Sequence, residues 1–202
     1  MLITFEGIDG SGKSTQIHRL KEYLEVQGYV VHLVREPGHT GISEAIRAIL
    51  LNKEFHEMTD RTELLLFNAA RAQLVERVIV PALDRGNIVL CDRFFDSTIA
   101  YQSFGRGIDL DLVRSCIAIA TNGLVPHKTF YMRIPVDISI ERSKAKHLDR
   151  MEVAGRDFFL RVINGYEYLC TTEPQRVIPC DGTRLADDIH QVILKHLPQF
   201  VQ

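Results

Sequence analysis

The chain has 202 residues, a formal net charge of −2, and 46% hydrophobic and 25% charged residues. That length suits a single domain with a substantial core. The near-neutral balance, without a long basic run, excludes wrapping along a nucleic-acid backbone, and no apolar stretch is long enough to cross a bilayer.

The first predicted element, a strand over 2–6, runs into Gly7-Ile8-Asp9-Gly10-Ser11-Gly12-Lys13-Ser14 and on into a helical pattern over 13–27. Gly7 and Gly12 followed by Lys13 and a hydroxyl form the phosphate-cradling P-loop signature. The glycines let consecutive N–H groups point inward, and the new helix adds its positive end. Lys13 suits the β- and γ-phosphates of a nucleoside triphosphate, and the Ser14 hydroxyl suits Mg²⁺. A strand over 30–35 follows and ends in Arg35-Glu36-Pro37-Gly38, then helical patterns over 42–51 and 62–84. In the latter, Leu64, Leu65, Phe67, Leu74, Val75, Val78 and Ile79 fall at helical spacings. The strand over 88–91 ends in Asp92-Arg93, where the carboxylate suits a metal or its waters and the guanidinium suits an anionic acceptor. A helical segment over 96–122, a strand over 128–133, helices over 136–146 and 155–172, a strand over 176–179 and a helix over 185–197 complete the chain.

Strands alternating with helices imply a parallel sheet covered on both faces, whose ligands gather beyond the carboxyl ends of the strands. No internal repeat or Pro/Ser-rich linker interrupts the pattern. The cysteines, Cys91, Cys116, Cys170 and Cys180, are widely spaced and show no paired metal-ligand pattern. With no signal peptide in the opening strand and loop, they suit a reducing cytoplasm.

The chain resembles the thymidylate kinases, P-loop enzymes that pass the γ-phosphoryl group of ATP to dTMP. The resemblance rests on Phe5 through Thr15, on Arg35-Glu36-Pro37-Gly38, on Leu66-Phe67-Asn68-Ala69-Ala70-Arg71, on Asp92-Arg93-Phe94 with Ser97-Thr98 and Ala100-Tyr101-Gln102, and on Asp149-Arg150-Met151-Glu152. It implies one domain over 1–202 with the three-layer P-loop NTPase fold, a central five-stranded parallel sheet flanked by helices. A short basic lid over about 142–153 is implied too.

The same resemblance implies roles. ATP would lie on Gly7, Ile8, Asp9, Gly10, Ser11, Gly12, Lys13, Ser14 and Thr15, with adenine against Asp181-Gly182. Phe67 would stack on thymine, and Arg71, one turn on, would reach the base's oxygens. Arg93 would hold the acceptor phosphate, with Arg35 or the Glu36-Pro37 turn shaping that pocket. Asp9 would reach either the sugar 3′-hydroxyl or the metal region. Ser97, Thr98 and Gln102 would line the base edge, and Tyr101 would press where a 2′-hydroxyl would sit. Asp92 and Ser14 would hold Mg²⁺, mostly through water. Gly10 occupies the slot where some relatives keep a P-loop arginine, which leaves the lid to supply it. Members of the lid-arginine class carry arginines where this chain has Lys144 and Lys146. Arg142 or Arg150 would then bear the main load, or Arg142 would instead stack on adenine. ATP and dTMP are the expected partners, and a homodimer, with interface on the helices over 62–84 and 109–122, is the expected assembly. A different small-acceptor kinase on the same fold is the alternative; a neutral nucleoside would give Arg93 no phosphate to hold. A nucleotide switch would need an Asn-Lys-x-Asp element after a strand, and none is present.

Overall fold

Strands β1 (Leu2–Glu6), β2 (Val31–Arg35), β3 (Ile88–Asp92), β4 (Lys128–Arg133) and β5 (Val177–Asp181) form one parallel sheet in the order β2-β3-β1-β4-β5. The computed structural model describes residues 1–143, 150–151 and 155–197. Helical segments cross between the strands, as parallel pairing requires: α1 (Lys13–Val26), α2 (Gly41–Leu51), α3 (Asp60–Leu74), α4 (Val80–Asp84), α5 (Phe95–Thr98), α6 (Leu110–Thr121), α7 (Val136–Ser143), α8 (Arg156–Thr172) and α9 (Ala186–Lys195).

The pleat sends alternate residues to opposite faces, and both faces are covered. Ile3, Phe5, Leu90, Phe130 and Met132 pack with Leu20 and Leu24 of α1 and Ile193 of α9. Leu2, Val89, Cys91, Tyr131 and Val177 face the other way, against Leu64 and Leu74 of α3, Val113 of α6 and Val162, Tyr166 and Leu169 of α8. Three layers result. In the register, Phe5 of β1 lies beside Asp92 of β3, so the loops leaving these two strands open at the same edge of the sheet. That pairing puts the chemistry in one place.

Two long predicted helices are divided. The stretch over 62–84 begins earlier, at Asp60, because the Thr59 side chain accepts a hydrogen bond from the Thr62 amide. It then widens into a π-helical turn at Val75–Ile79 before α4. Pro81 follows in α4 with no N–H to donate and a ring that crowds the carbonyl four residues back, a strain that a wider turn relieves. The segment over 96–122 is not one helix. It consists of α5, a π-helical stretch at Ile99–Gly105 and, after a break, α6. Gly105 and Gly107 weaken the helix, and Asp109 starts a new one by accepting from the amides of Asp111 and Leu112. Of the helix expected over 136–146, Val136–Ser143 is described; the lid residues 144–149 and 152–154 lie outside the described residues. Among the described residues no helix is long and apolar enough to cross a membrane, and the four cysteines are free.

Candidate active site

The loop between β1 and α1 has the backbone its glycines foretold. Gly7 takes a φ of +132°, and a Cβ there would lie 2.7 Å from the Met132 carbonyl oxygen, so both conformation and space demand glycine. Gly10 and Gly12 are also left-handed, and α1 starts at Lys13. Lys13 is buried, its Nζ donating to the carbonyls of Gly7 (2.9 Å) and Ile8 (3.3 Å) and standing 3.9 Å from Asp9. Burial, and then the charge of Arg93, lower its pKa to about 8. Asp9, Gly10, Ser11, Gly12, Lys13, Ser14 and Thr15 line a cavity that Arg35, Glu36, Arg47, Asp92 and Arg93 close from the β2 and β3 side. The Oδ1 of Asp92 is buried and without a hydrogen-bond partner. A carboxylate oxygen of this kind, in a cavity also lined by Ser14, fits Mg²⁺, which takes one or two carboxylates and completes its shell with water and phosphate. Among the described residues there is no cluster of three or more His, Cys, Asp or Glu suited to a metal.

Arg93 is held at the junction. It leaves β3 with a φ of +66°, a strained conformation for a side chain of its size. Its guanidinium donates to Asp9 (2.9 Å) and to the Ser97 hydroxyl (3.3 Å), and lies 5.3 Å from the centre of the Tyr101 ring. Beneath it sits Glu6, fully buried at the end of β1. One carboxylate oxygen of Glu6 accepts from the amides of Phe94 (2.7 Å) and Ser97 (3.3 Å); the other accepts from the hydroxyls of Ser97 (2.6 Å) and Tyr166 (2.9 Å). Glu6 thereby caps α5 and pins the turn that carries Arg93. The Ser97 proton is spent on this clamp, so Ser97 supports Arg93 from below. Burial and the neighbouring Asp96 push Glu6 up to about 7, against the pull of Ser97, Arg93 and the Phe94 amide. A raised carboxyl pKa means the anion, and with it the clamp, is complete only above that pH. Turnover is therefore expected to fall as pH drops through about 7, above the second ionisation of a phosphate monoester near pH ~6. Glu6→Gln, measured by its pH–rate profile, should lower kcat about tenfold through misplacement of Arg93 and lose that upper limb. An unchanged profile would remove Glu6 from this role.

A second cavity opens beside the first and shares Asp9, Glu36, Arg47 and Arg93 with it. Its other walls are Pro37, Leu51, Phe67, Arg71, Phe94, Ser97, Thr98, Tyr101, Gln102 and Met151. Arg71 is almost fully buried. Its Nε and Nη2 both reach Glu36 Oε2, at 2.8 and 2.7 Å, and its Nη1 donates to Asn68 at 3.2 Å. Burial raises the pKa of Glu36 while Arg71 pulls it down. Gln102 donates to Glu63, which also binds Arg106 and Arg150. The Tyr101 ring meets Phe158, Phe159 and Tyr166 edge-on, and its hydroxyl is buried without a partner.

Of the residues expected to hold ATP, Asp9 through Thr15 line the first cavity, whereas Gly7, Ile8, Asp181 and Gly182 line neither; those expected for the acceptor line the second, and the lid arginines part company. Arg142 donates to the carbonyls of Gly10 (3.0 Å) and Gly182 (3.3 Å). It spans the P-loop and the turn after β5, where Gly182 packs so closely that a Cβ would lie 2.9 Å from the Ser11 carbonyl oxygen. Arg150, the alternative to Arg142 as the transition-state cation, donates to Glu63 at 2.6 Å and to the Leu50 carbonyl at 2.8 Å, beside the second cavity. Lys144 and Lys146 lie outside the described residues. Arg35, offered as an alternative shaper of the acceptor pocket, lines the P-loop cavity and pairs with Glu44. Sequence reasoning missed Arg47, which donates to the Pro37 carbonyl at 2.8 Å. It also missed Ser139, which donates to the Asp9 carbonyl at 2.6 Å, and Glu63 behind Gln102; Met151, quoted only as part of a motif in the lid, lines the second cavity. A lone arginine among Ile42, Ile46 and Leu50, and an acid inside an apolar helix, were the only signals available.

A glycine-rich anion cradle at the end of the central strand, with a second cavity opening onto it, makes this chain a kinase of the P-loop class. The family model described as thymidylate kinase matches residues 5–193. A thymidylate kinase of Kosmotoga olearia is 45% identical over 197 residues, covering 96% of this chain and 94% of the relative. One of Chlorobium luteolum is 47% identical over 207 residues, covering 98% and 96%. The crystal structure of thymidylate kinase from Ehrlichia chaffeensis superposes with a TM-score of 0.81 at 34% identity, covering 98% of each chain. The chain belongs to the thymidylate kinase family.

Proposed function

We propose that this chain transfers the γ-phosphoryl group of ATP to dTMP, giving dTDP and ADP, with the triphosphate in the P-loop cavity and the acceptor in the cavity beside it. The observation that carries the assignment is their junction, where Asp9 and Arg93 belong to both. A phosphate of the acceptor gripped by the Arg93 fork would face the terminal phosphate held by Lys13, the in-line placement that makes positioning and charge the main sources of rate. The acceptor phosphate is already an anion at neutral pH, so no general base is required. Ser14 and Asp92 would hold Mg²⁺, whose contribution is to neutralise phosphate charge. Arg142, seated on Gly10 and Gly182, fits the adenine side. Phe67 supplies a ring for the acceptor base, and Arg71, fixed by Glu36, offers its remaining N–H groups to the base oxygens.

Screening the common nucleoside monophosphates with ATP and Mg²⁺, with ADP release as the readout, should give dTMP as the preferred acceptor. Preference for another monophosphate would overturn the assignment. Tyr101 packs beneath Arg93 at the place proposed for the deoxyribose. Tyr101→Ala should relax discrimination against the ribonucleotide by about tenfold, the scale on which a small apolar pocket difference discriminates. Tyr101→Phe, which removes only the unpartnered hydroxyl, should not. An unchanged deoxy-to-ribo ratio in Tyr101→Ala would remove the role.

We propose further that the chain works as a homodimer in the cytoplasm. Leu65 of α3 and Leu112 and Ile119 of α6 are 60%, 57% and 83% exposed on two helices that pack side by side. A monomer by sedimentation at micromolar concentration would refute the assembly. Free thiols suit a reducing compartment, and recovery of the protein outside the cytoplasmic fraction would refute the location.

A further inference from the structure

We infer that Glu63 is a specificity-determining positioning residue, which fixes the orientation of the Gln102 amide so that the acceptor cavity reads a pyrimidine carrying a ring N–H. This rests on the proposed placement of the acceptor base between Phe67 and Arg71. Glu63 lies on α3, 1% exposed, and does not line the cavity. Its Oε1 accepts from Gln102 Nε2 (2.8 Å) and Arg106 Nε (3.1 Å); its Oε2 accepts from Arg106 Nη2 (3.0 Å) and Arg150 Nη2 (2.6 Å). Burial opposes its charge, but the bonds and charge of Arg106, with bonds from Gln102 and Arg150, outweigh that cost and hold the pKa below the ordinary glutamate value. The carboxylate is therefore ionised and accepts only.

That fact removes the ambiguity of an amide side chain, whose oxygen and nitrogen ends are otherwise interchangeable by a flip. An acceptor-only partner can take only the Nε2 end of Gln102. The oxygen end is left for the cavity that Gln102 lines. Arg71, with its donors, lines the same cavity. A cavity offering a guanidinium donor and an amide acceptor matches a base with a carbonyl beside a ring N–H, as in thymine or uracil. Cytosine reverses both features, presenting an amino donor to Arg71 and a bare ring nitrogen to the amide oxygen. Unpaired or like-facing buried polar groups are what give a site strong discrimination. Glu63 touches no part of the acceptor in this scheme and acts through Gln102. Its Arg150 bond also fastens the chain just before Met151, a cavity wall, to the same carboxylate.

The test is the ratio of kcat/KM for dTMP to that for dCMP in Glu63→Gln, which keeps the shape but no longer dictates the Gln102 orientation. The ratio should narrow about tenfold, the scale of one buried hydrogen bond, with KM for ATP within about twofold of wild type as expected for a residue remote from the P-loop. Thermal melting confirms that the variant is folded, and Glu63→Ala serves where it is not. In a Gln102→Ala background the same substitution should leave the ratio unmoved, because the residue through which it acts is gone. A ratio unchanged in Glu63→Gln, or narrowed equally in both backgrounds, would overturn the inference while dTMP turnover by the wild type leaves the acceptor assignment standing. Absence of any dTMP preference in the wild type would instead defeat that assignment.

Discussion

Arg93→Ala is expected to lower kcat at least ~10²-fold while leaving ATP affinity within about threefold, by analogy with the loss of a single preorganised donor in a water-excluded site. The residue is held in place at several points. A strained left-handed backbone aims it, Asp9 and the Ser97 hydroxyl accept from its two terminal nitrogens, and the Tyr101 ring lies beside its guanidinium. Such preorganisation has value only if the charge is needed at that spot during transfer. The donor side should tolerate the change, because the charge of Arg93 depresses the Lys13 pKa. Removing it leaves Lys13 more fully protonated. Arg93→Lys should recover only part of the loss, since an ammonium cannot make the planar two-pronged grip on a phosphate. Single-turnover rates with saturating ATP, alongside equilibrium binding of a fluorescent ATP analogue, separate the two effects. Turnover within threefold of wild type in the alanine variant would show that the acceptor phosphate is held elsewhere.

What could be read from the chain was local. The Gly7–Ser14 loop announces itself because its function demands a backbone that only glycine allows, and Asp92-Arg93 stands out because a polar pair follows four apolar residues. Parallel strands with helices between them follow from alternating periodicities. The long-range partners were not legible. Glu63 meets Gln102 39 residues away and Arg150 87 residues away, and its place beside apolar residues of its helix marks an acid there without naming these partners. Glu6 lay inside the quoted P-loop element, yet its service to Ser97, 91 residues on, exists only once β1 and β3 lie side by side. The division of the helix over 96–122 had a signal in Gly105, Gly107 and Asp109, and helical periodicity on both sides masked it. Arg150 was marked only by its basic neighbourhood, which suggested a phosphate; its bond to a buried carboxylate on α3 was as illegible as the others.

Lys13→Ala should likewise reduce turnover at least ~10²-fold, and here the loss should include ATP affinity. In the fold, Lys13 is the one α1 side chain whose ammonium turns back onto the loop, lying on the Gly7 and Ile8 carbonyls. Burial and Arg93 lower its pKa to about 8, so it is fully charged below that value and loses its proton above it. A triphosphate brings negative charge to the same spot and must raise that pKa on binding. By linkage, ATP affinity is then greatest where the lysine is already protonated, and it weakens as pH climbs past about 8. Calorimetric titration of ATP at a series of pH values should show proton uptake near and above that pH in the wild type. In Lys13→Ala both the uptake and the alkaline weakening should vanish together with most of the affinity. Retained affinity with wild-type proton uptake in the alanine variant would mean that another cation meets the terminal phosphate. The P-loop would then be a scaffold for the donor rather than part of its charge neutralisation.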